Sequence, residues 1–353
     1  MTRLIAAFAC LLTVAALVIG LTNPYGNLPN TLFKKHIIAQ RNQRFQYPAI
    51  TRSGNFDSVL IGTSTSGILR PPRLNDVLGG KFANLAMDSA RAWEQTQVTN
   101  LFRRHAGPDA RLIIGIDIVW CDLDANSTRT TERGFPEWMY DENPWNDFPA
   151  MFNATSLEYG LKQFLVAAGL KSPRMSDDGY KVFLPDESAY DIQKVRNEIV
   201  PWHRESYAIP IALPEIASDL PVPPALAWLE TLLGLGWRNA ALVFMPVHAT
   251  AQQRPGTPGF RVEESCKAHI ANIAARHETP VIDFRIPSSL TMDDTNYWDR
   301  LHYRVPVGDS IAAMMATALK TLEDDPLGRW RILNNVGAKP WRNLPIPQPP
   351  AVR

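Results

Sequence analysis

Apolar and polar positions divide the chain into four unequal stretches. Leu4 to Leu21 is almost unbroken apolar sequence preceded by Arg3, and its 18 residues are enough for a bilayer-spanning helix. The turn-forming run Asn23-Pro24-Tyr25-Gly26 follows at once, and Asn27 to Asn55 is polar with scattered aromatics, a linker or wrapping segment. From residue 56 short apolar runs alternate with helical spacing. Ser58-Val59-Leu60-Ile61 ends in Gly62-Thr63-Ser64-Thr65-Ser66-Gly67, Lys81 to Met87 reads as a second strand, and Ala90 to Arg104 has helical period. Arg111 to Trp120 is the strongest strand. The pattern then breaks into polar loops rich in aromatics from Cys121 to about Leu220, with helices expected over Phe148–Ala168 and Tyr190–Trp202. Alternation resumes with a helix over Pro224–Trp237, a strand over Ala240–Val247, a helix over Val262–His277, a strand over Pro280–Phe284 and a closing helix over Val307–Glu323.

Strands alternating with helices imply a parallel sheet covered on both faces, with ligands met at the carboxyl ends of the strands. The expected organisation is an N-terminal anchor or signal (1–22), a linker or wrapping segment (23–55), one α/β domain with five parallel strands (56–323), and an extended Pro-rich tail (324–353). The irregular stretch from about 121 to 220 reads as an insertion after the third strand, because it lacks the βα rhythm. The apolar leader has no clear A-x-A site after it, which favours an uncleaved anchor over a cleaved signal. Arg3 on the inner side places the body outside the cytoplasm, although Lys34 and Lys35 oppose that orientation.

Lys plus Arg total 36 against 35 Asp plus Glu, so no global field draws the chain to nucleic acid, and no aromatic-basic motif does either. The three cysteines are Cys10, Cys121 and Cys266; the last two either pair in an oxidising compartment or stay as buried thiols. Neither C-x-x-C nor a His/Cys cluster points to a metal, and no cofactor is expected.

Two features carry chemistry. Ser64 follows a strand and a glycine, which sets a hydroxyl at the carboxyl edge of the sheet, and Asp299-x-x-His302 precedes the last helix. A serine hydroxyl is protonated at neutral pH and needs a base to become a nucleophile. His302 is the candidate base, and Asp299 the acid that orients it. His248 ends the fourth strand on the same edge, as a substrate contact or a loop cap, and Asp283 ends the fifth as a turn carboxylate. Trp120, Trp138, Tyr140, Trp145 and Trp202 are suited either to stacking on sugar rings or to a small core of their own.

With Gly62-Thr63-Ser64 early and Asp299-x-x-His302 late, the chain resembles the SGNH, or GDSL-like, hydrolase superfamily over about residues 56 to 322. The resemblance implies a flavodoxin-like three-layer sandwich and a triad of Ser64, His302 and Asp299. The leader, the Asn-Pro-Tyr-Gly turn, Asn84-Leu85-Ala86 and Gly115-Ile116-Asp117 look like membrane-anchored SGNH-like proteins of bacterial cell-envelope polysaccharide O-acylation. That likeness implies a single-pass inner-membrane protein with a periplasmic esterase or O-acyltransferase domain. It also implies acylated polysaccharide as substrate and a membrane-bound acyltransferase as partner. In the family's second block a glycine amide faces the oxyanion; Ser89 or Asp88 stands there in this chain. The third block's asparagine is replaced by Asp117, an oxyanion-site departure or an end-of-strand residue, since a carboxylate only accepts hydrogen bonds. That departure motivates the alternative of a catalytically degenerate domain that binds polysaccharide or scaffolds envelope assembly.

Overall fold

In a computed structural model the protein is described at residues 1–28, 42–124, 129–143, 145–199, 220–342 and 344–345. Lys34, Lys35 and Trp202, which entered the expectations above, lie outside the described residues, as do Pro347, Pro349 and Pro350 of the Pro-rich tail.

The N-terminal helix α1 (Thr2–Thr22) leads into α2 (Gln43–Arg52), β1 (Ser58–Ile61), the single turn α3 (Ser64–Gly67), α4 (Pro71–Leu78) and β2 (Phe82–Asn84). Next come α5 (Ala92–His105), β3 (Arg111–Ile116), α6 (Asp147–Met151), α7 (Ala154–Ala167), α8 (Ile192–Ile199) and α9 (Leu226–Leu233). The chain closes with β4 (Asn239–Phe244), α10 (Pro258–Arg276), β5 (Val281–Asp283), α11 (Val305–Thr321) and β6 (Arg331–Ile332).

The sheet order is β2-β1-β3-β4-β5-β6. Strands β1 to β5 are mutually parallel, and β6 is antiparallel to β5 with Ile282 opposite Ile332. This corrects the expected five strands to six. The sixth is two residues long and charged at Arg331, so no apolar period marks it. The order 2-1-3-4-5 is a doubly wound one, whose switch point, the usual ligand crevice, lies between β1 and β3.

Successive strand residues point to opposite faces. Val59, Ile61, Leu112, Ile114 and Leu242 join one core, with residues of α5, α9 and α10. Leu60, Ile113, Ala241, Val243 and Ile282 join the other, with residues of α4 and α11. Three layers result. Continuous burial along β1 and β3 explains why those strands read as unbroken apolar runs.

The linker or wrapping segment and the tail are both built into the body. Within the supposed linker, α2 buries Arg44 against Glu94 with Nε to Oε1 at 2.8 Å, and Tyr47 donates its hydroxyl proton to the Ala86 carbonyl. Within the supposed tail, besides β6, Trp330 and Trp341 are buried, and the Trp341 indole donates to the Ala240 carbonyl at 3.2 Å. The first segment therefore packs on the body as a wrapping segment rather than a linker, and the Pro-rich composition of the second hid side chains that are buried with partners.

The long β3–β4 connection holds α6 to α9 and no strand among its described residues. Cys121, just beyond β3, forms a disulfide with Cys266 in α10. Helix α1 is 21 residues, roughly 30 Å at 1.5 Å per residue, and is long and apolar enough to cross a membrane.

Candidate active site

Ser64 opens the α3 turn directly above β1. The turn sits down between the tops of β1 and β3 because glycine stands just past β1 and one residue before the end of β3: a Cβ on Gly62 or Gly115 would fall on the Ser66 hydroxyl. Gly62 also has φ of 155°, a conformation side chains rarely allow. Asn84, buried at the end of β2, holds the turn from beneath by donating to the carbonyls of Ser66, Gly67 and Leu69.

The Asp299 loop is folded locally. Asp299 Oδ1 accepts from the amides of Leu301 at 2.7 Å and His302 at 2.9 Å, and the Trp298 amide donates to the His302 carbonyl at 2.8 Å. An Asp side chain that bonds backbone two and three residues on is a turn former. Three-residue spacing therefore also brings the carboxylate to the imidazole, with Asp299 Oδ2 2.8 Å from His302 Nδ1. A carboxylate accepts only, so the proton sits on Nδ1 and leaves Nε2 as an acceptor. The Ser64 hydroxyl is 3.0 Å from that Nε2. Ser64, His302 and Asp299 thus form one continuous hydrogen-bonded chain, assembled from opposite ends of the sequence. Burial alone would raise the Asp299 carboxyl; the hydrogen bond and charge of His302, with the two amides, outweigh it and leave that carboxyl below its ordinary value.

Partners that sequence reasoning missed hold this chain in place. The Tyr303 hydroxyl donates to the Thr65 carbonyl, tying the histidine loop to the serine turn. Phe183, from the β3–β4 connection, meets the His302 ring edge-on at 5.5 Å. Arg304 pairs with Glu187 of the same connection at 2.6 Å. No local pattern announces these contacts, since each joins segments more than a hundred residues apart.

Asp117 is a clamp. Its carboxylate accepts from the hydroxyls of Thr63 and Thr65, the Ile118 amide at 3.0 Å and Arg285 Nη2 at 2.9 Å. Burial pushes its carboxyl up, but the Arg285 charge and these hydrogen bonds more than reverse that, so it is ionised and charge-matched. It donates nothing to an oxyanion, which corrects its place among oxyanion residues; it braces the residue before Ser64 instead. Arg285, past the end of β5, also donates to the Met245 carbonyl. A charged residue just after a buried strand was the signal that could have found it.

His248 is completely buried. Its Nδ1 accepts from the Thr250 amide at 3.2 Å, its Nε2 lies 3.2 Å from Asp294, and its amide donates to the Arg300 carbonyl at 3.0 Å. It pins the β4–α10 loop under the Asp299 loop, and with its side chain buried and capping that loop, the loop-cap alternative replaces the substrate contact.

Of the two second-block candidates, the Asp88 amide is taken by Gln43 Oε1 at 3.1 Å, and its carboxylate by Lys181 at 2.5 Å. Ser89 has a left-handed φ of 55°, and its amide has no partner among the described residues. The Met87 amide donates to the Gly62 carbonyl at 3.0 Å, so the chain after β2 still runs beside the chain after β1 two residues before each serine. The Ser64 amide, first in its turn, is likewise unspent among the described residues.

Beyond Asp117 lies a cavity of about 460 Å³, walled by Ile118, Val119, Phe244, Val262 and Arg285, in the size range of small-ligand pockets. Trp120 is buried, and Tyr140 stacks on Phe135 with centroids 4.4 Å apart, so these two aromatics are core residues; Trp145 is exposed. Among the described residues no group of three or more His, Cys, Asp or Glu side chains is arranged to hold a metal. No protein-family profile and no curated protein matches the chain.

Proposed function

We propose that the protein is a membrane-anchored, extracytoplasmic serine esterase or O-acyltransferase of SGNH type, acting on acyl esters of a cell-envelope polysaccharide. The observation that carries the proposal is the unbroken Ser64–His302–Asp299 hydrogen-bond chain at the carboxyl edge of a doubly wound sheet. In the mechanism, Ser64 Oγ attacks the ester carbonyl while His302 Nε2 takes its proton. Asp299 stabilises the imidazolium and does not itself take the proton. The amides of Ser64 and Ser89 receive the oxyanion. His302 then returns the proton to the departing sugar oxygen, leaving an acyl-serine that water or a second sugar hydroxyl resolves. A water acceptor gives hydrolysis and a sugar acceptor gives transfer, by one set of residues.

Loss of one oxyanion donor costs about 3 kcal/mol, so a site resting on two backbone amides without the family's asparagine is expected to be slow. The ionised Asp117 clamp is the specific observation behind the second proposal, a polysaccharide-binding or scaffolding domain that has lost turnover. The anchor reading is supported by α1, and the extracytoplasmic one by the Cys121–Cys266 pair, since such bonds persist in oxidising compartments. A membrane-bound acyltransferase as acyl donor belongs to the same proposal.

The deciding experiment gives the full chain in detergent an aryl acetate, alone and with an unacylated oligosaccharide. Acetate release without acceptor supports the esterase, and acetyl oligosaccharide supports the transferase. No turnover of either kind, with an unmodified Ser64, leaves the binding domain.

A further inference from the structure

Helix α7 carries two faces that do not match a helix on the surface of a water-soluble body. One face, Ser156, Gly160 and Gln163, is buried. It runs along the end of α1: a Cβ on Gly160 would come 2.5 Å from Thr22 Oγ1, Gln163 donates to the Asn23 carbonyl at 3.4 Å, and Ser156 Oγ is 3.1 Å from the Tyr25 hydroxyl. The adjoining face is apolar and open. Leu161 is 52 % exposed, Phe164 39 %, Leu165 36 % and Leu170, just past the helix, 72 %. Positions 157, 161, 164, 165 and 168 follow the i, i+4, i+7, i+8, i+11 spacing of one helix face, with leucine, phenylalanine or alanine at each; Leu157 packs on the core and the others are open. Its two charged residues, Glu158 and Lys162, are paired to each other at 2.5 Å, so α7 presents no net charge.

What covers this stripe is indicated by its neighbour. Helix α1 is exposed along most of its length, including Leu17 and Leu21 in its last turns, and it becomes half-buried from Ala15 onward as it enters the body. Two turns of α1 therefore run beside the body before the chain reaches Asn23. Since α7 packs against the last turn of α1 and the residues just after it, a bilayer that takes up α1 through Leu21 comes close to α7.

We propose that α7 lies in the membrane interface of the same bilayer that α1 crosses, with Leu161, Phe164, Leu165 and Leu170 turned into the lipid. The proposal rests on α1 being a membrane anchor. The body is then seated on the membrane by two elements rather than tethered by one. The β3–β4 connection, which also sets Phe183 against His302, is fixed relative to the lipid surface.

The test uses the full chain in vesicles of phosphatidylcholine and phosphatidylglycerol containing doxyl-labelled lipid. Native Cys10, exposed in α1 while the other two cysteines are bonded, takes an environment-sensitive thiol dye and reports the anchor. In a Cys10→Ser background, Leu161→Cys and Leu165→Cys report α7, and Leu327→Cys, at a residue 71 % exposed elsewhere on the body, is the control. The expected result is doxyl quenching of at least twofold, with blue-shifted emission, at positions 10, 161 and 165 and neither at 327. Quenching at 10 with 161 and 165 behaving as 327 overturns the α7 proposal and leaves the anchor standing. No quenching at 10 removes the anchor premise and the proposal with it. Because the dyes sit at exposed positions the fold is kept, and Phe164→Cys repeats the α7 measurement independently.

Discussion

Exchanging Asp299 for asparagine changes one atom in the proposed triad and has a definite consequence. In the protein, Asp299 Oδ1 accepts from the Leu301 and His302 amides at 2.7 and 2.9 Å, and Oδ2 accepts from His302 Nδ1 at 2.8 Å. In Asp299→Asn the amide oxygen keeps both backbone bonds, so the loop keeps its shape. The NH2 group then occupies the place of Oδ2 and donates, which obliges Nδ1 to accept and moves the imidazole proton to Nε2. That nitrogen faces Ser64 Oγ at 3.0 Å and now meets it as a donor. Serine is left without a base, the wrong-tautomer defect that lowers kcat by about 10⁴-fold in a triad, or about 5 kcal/mol of transition-state stabilisation. Stability should change little near neutrality, since all three hydrogen bonds survive, the one to Nδ1 with its direction reversed. In acid the two proteins should differ. Asp299's carboxyl lies below its ordinary value, so the wild type keeps this contribution above about pH 4 and loses it as pH falls through the folded-state value, whereas the variant has no such group to titrate. The assay is kcat for an aryl acetate at pH 7.5, with a urea midpoint on each sample. A variant that retains more than a tenth of wild-type kcat at unchanged midpoint would refute the tautomer argument.

Two further outcomes follow from buried charges. Arg285→Met leaves the part-buried Asp117 carboxylate with only hydroxyl and amide partners, and should cost about 3 kcal/mol in urea unfolding. Adding Asp117→Asn should recover much of that loss, and equal destabilisation in single and double variants would count against the clamp. Burial pushes the Asp147 carboxyl up to about 6, although Asn27 donates to it at 2.5 Å. A raised carboxyl binds its proton more tightly when folded, so this group's stabilisation is greatest below about pH 4 and is lost as pH rises through 6. Asp147→Asn should therefore raise Tm more at pH 7 than at pH 4, and parallel Tm curves for the two proteins would show that Asp147 is not the group responsible.

How much was legible depended on whether a residue's role was local. Strands β1 and β3 are apolar because both their faces are covered, so the runs at Ser58 and Arg111 announced themselves, and glycine at 62 placed Ser64 past a strand end. Asp299 and His302 meet through a turn three residues wide, which spacing alone conveys. The rest depended on distant partners. Arg44 and Glu94 are polar residues buried as a pair, and Arg331 is held by Asp283 and Glu264, so α2 and β6 looked like solvent-facing sequence. His248 and Asp117 stood at the expected sheet edge, but their direction was set by Asp294 in one case and Arg285 in the other. The pairing of Cys121 with Cys266 brings together residues 145 apart, a separation over which sequence alone says nothing about geometry.

The most direct test of the central claim is covalent. A serine-directed fluorophosphonate, incubated with the full chain and mapped by mass spectrometry of the digested protein, should add its phosphonyl group to Ser64 with loss of fluoride. The adduct should be absent in Ser64→Ala and strongly reduced in His302→Ala while both variants keep the wild-type urea midpoint. An unmodified Ser64, or equal labelling with and without His302, would contradict the account and leave the hydrogen-bonded chain without a nucleophile.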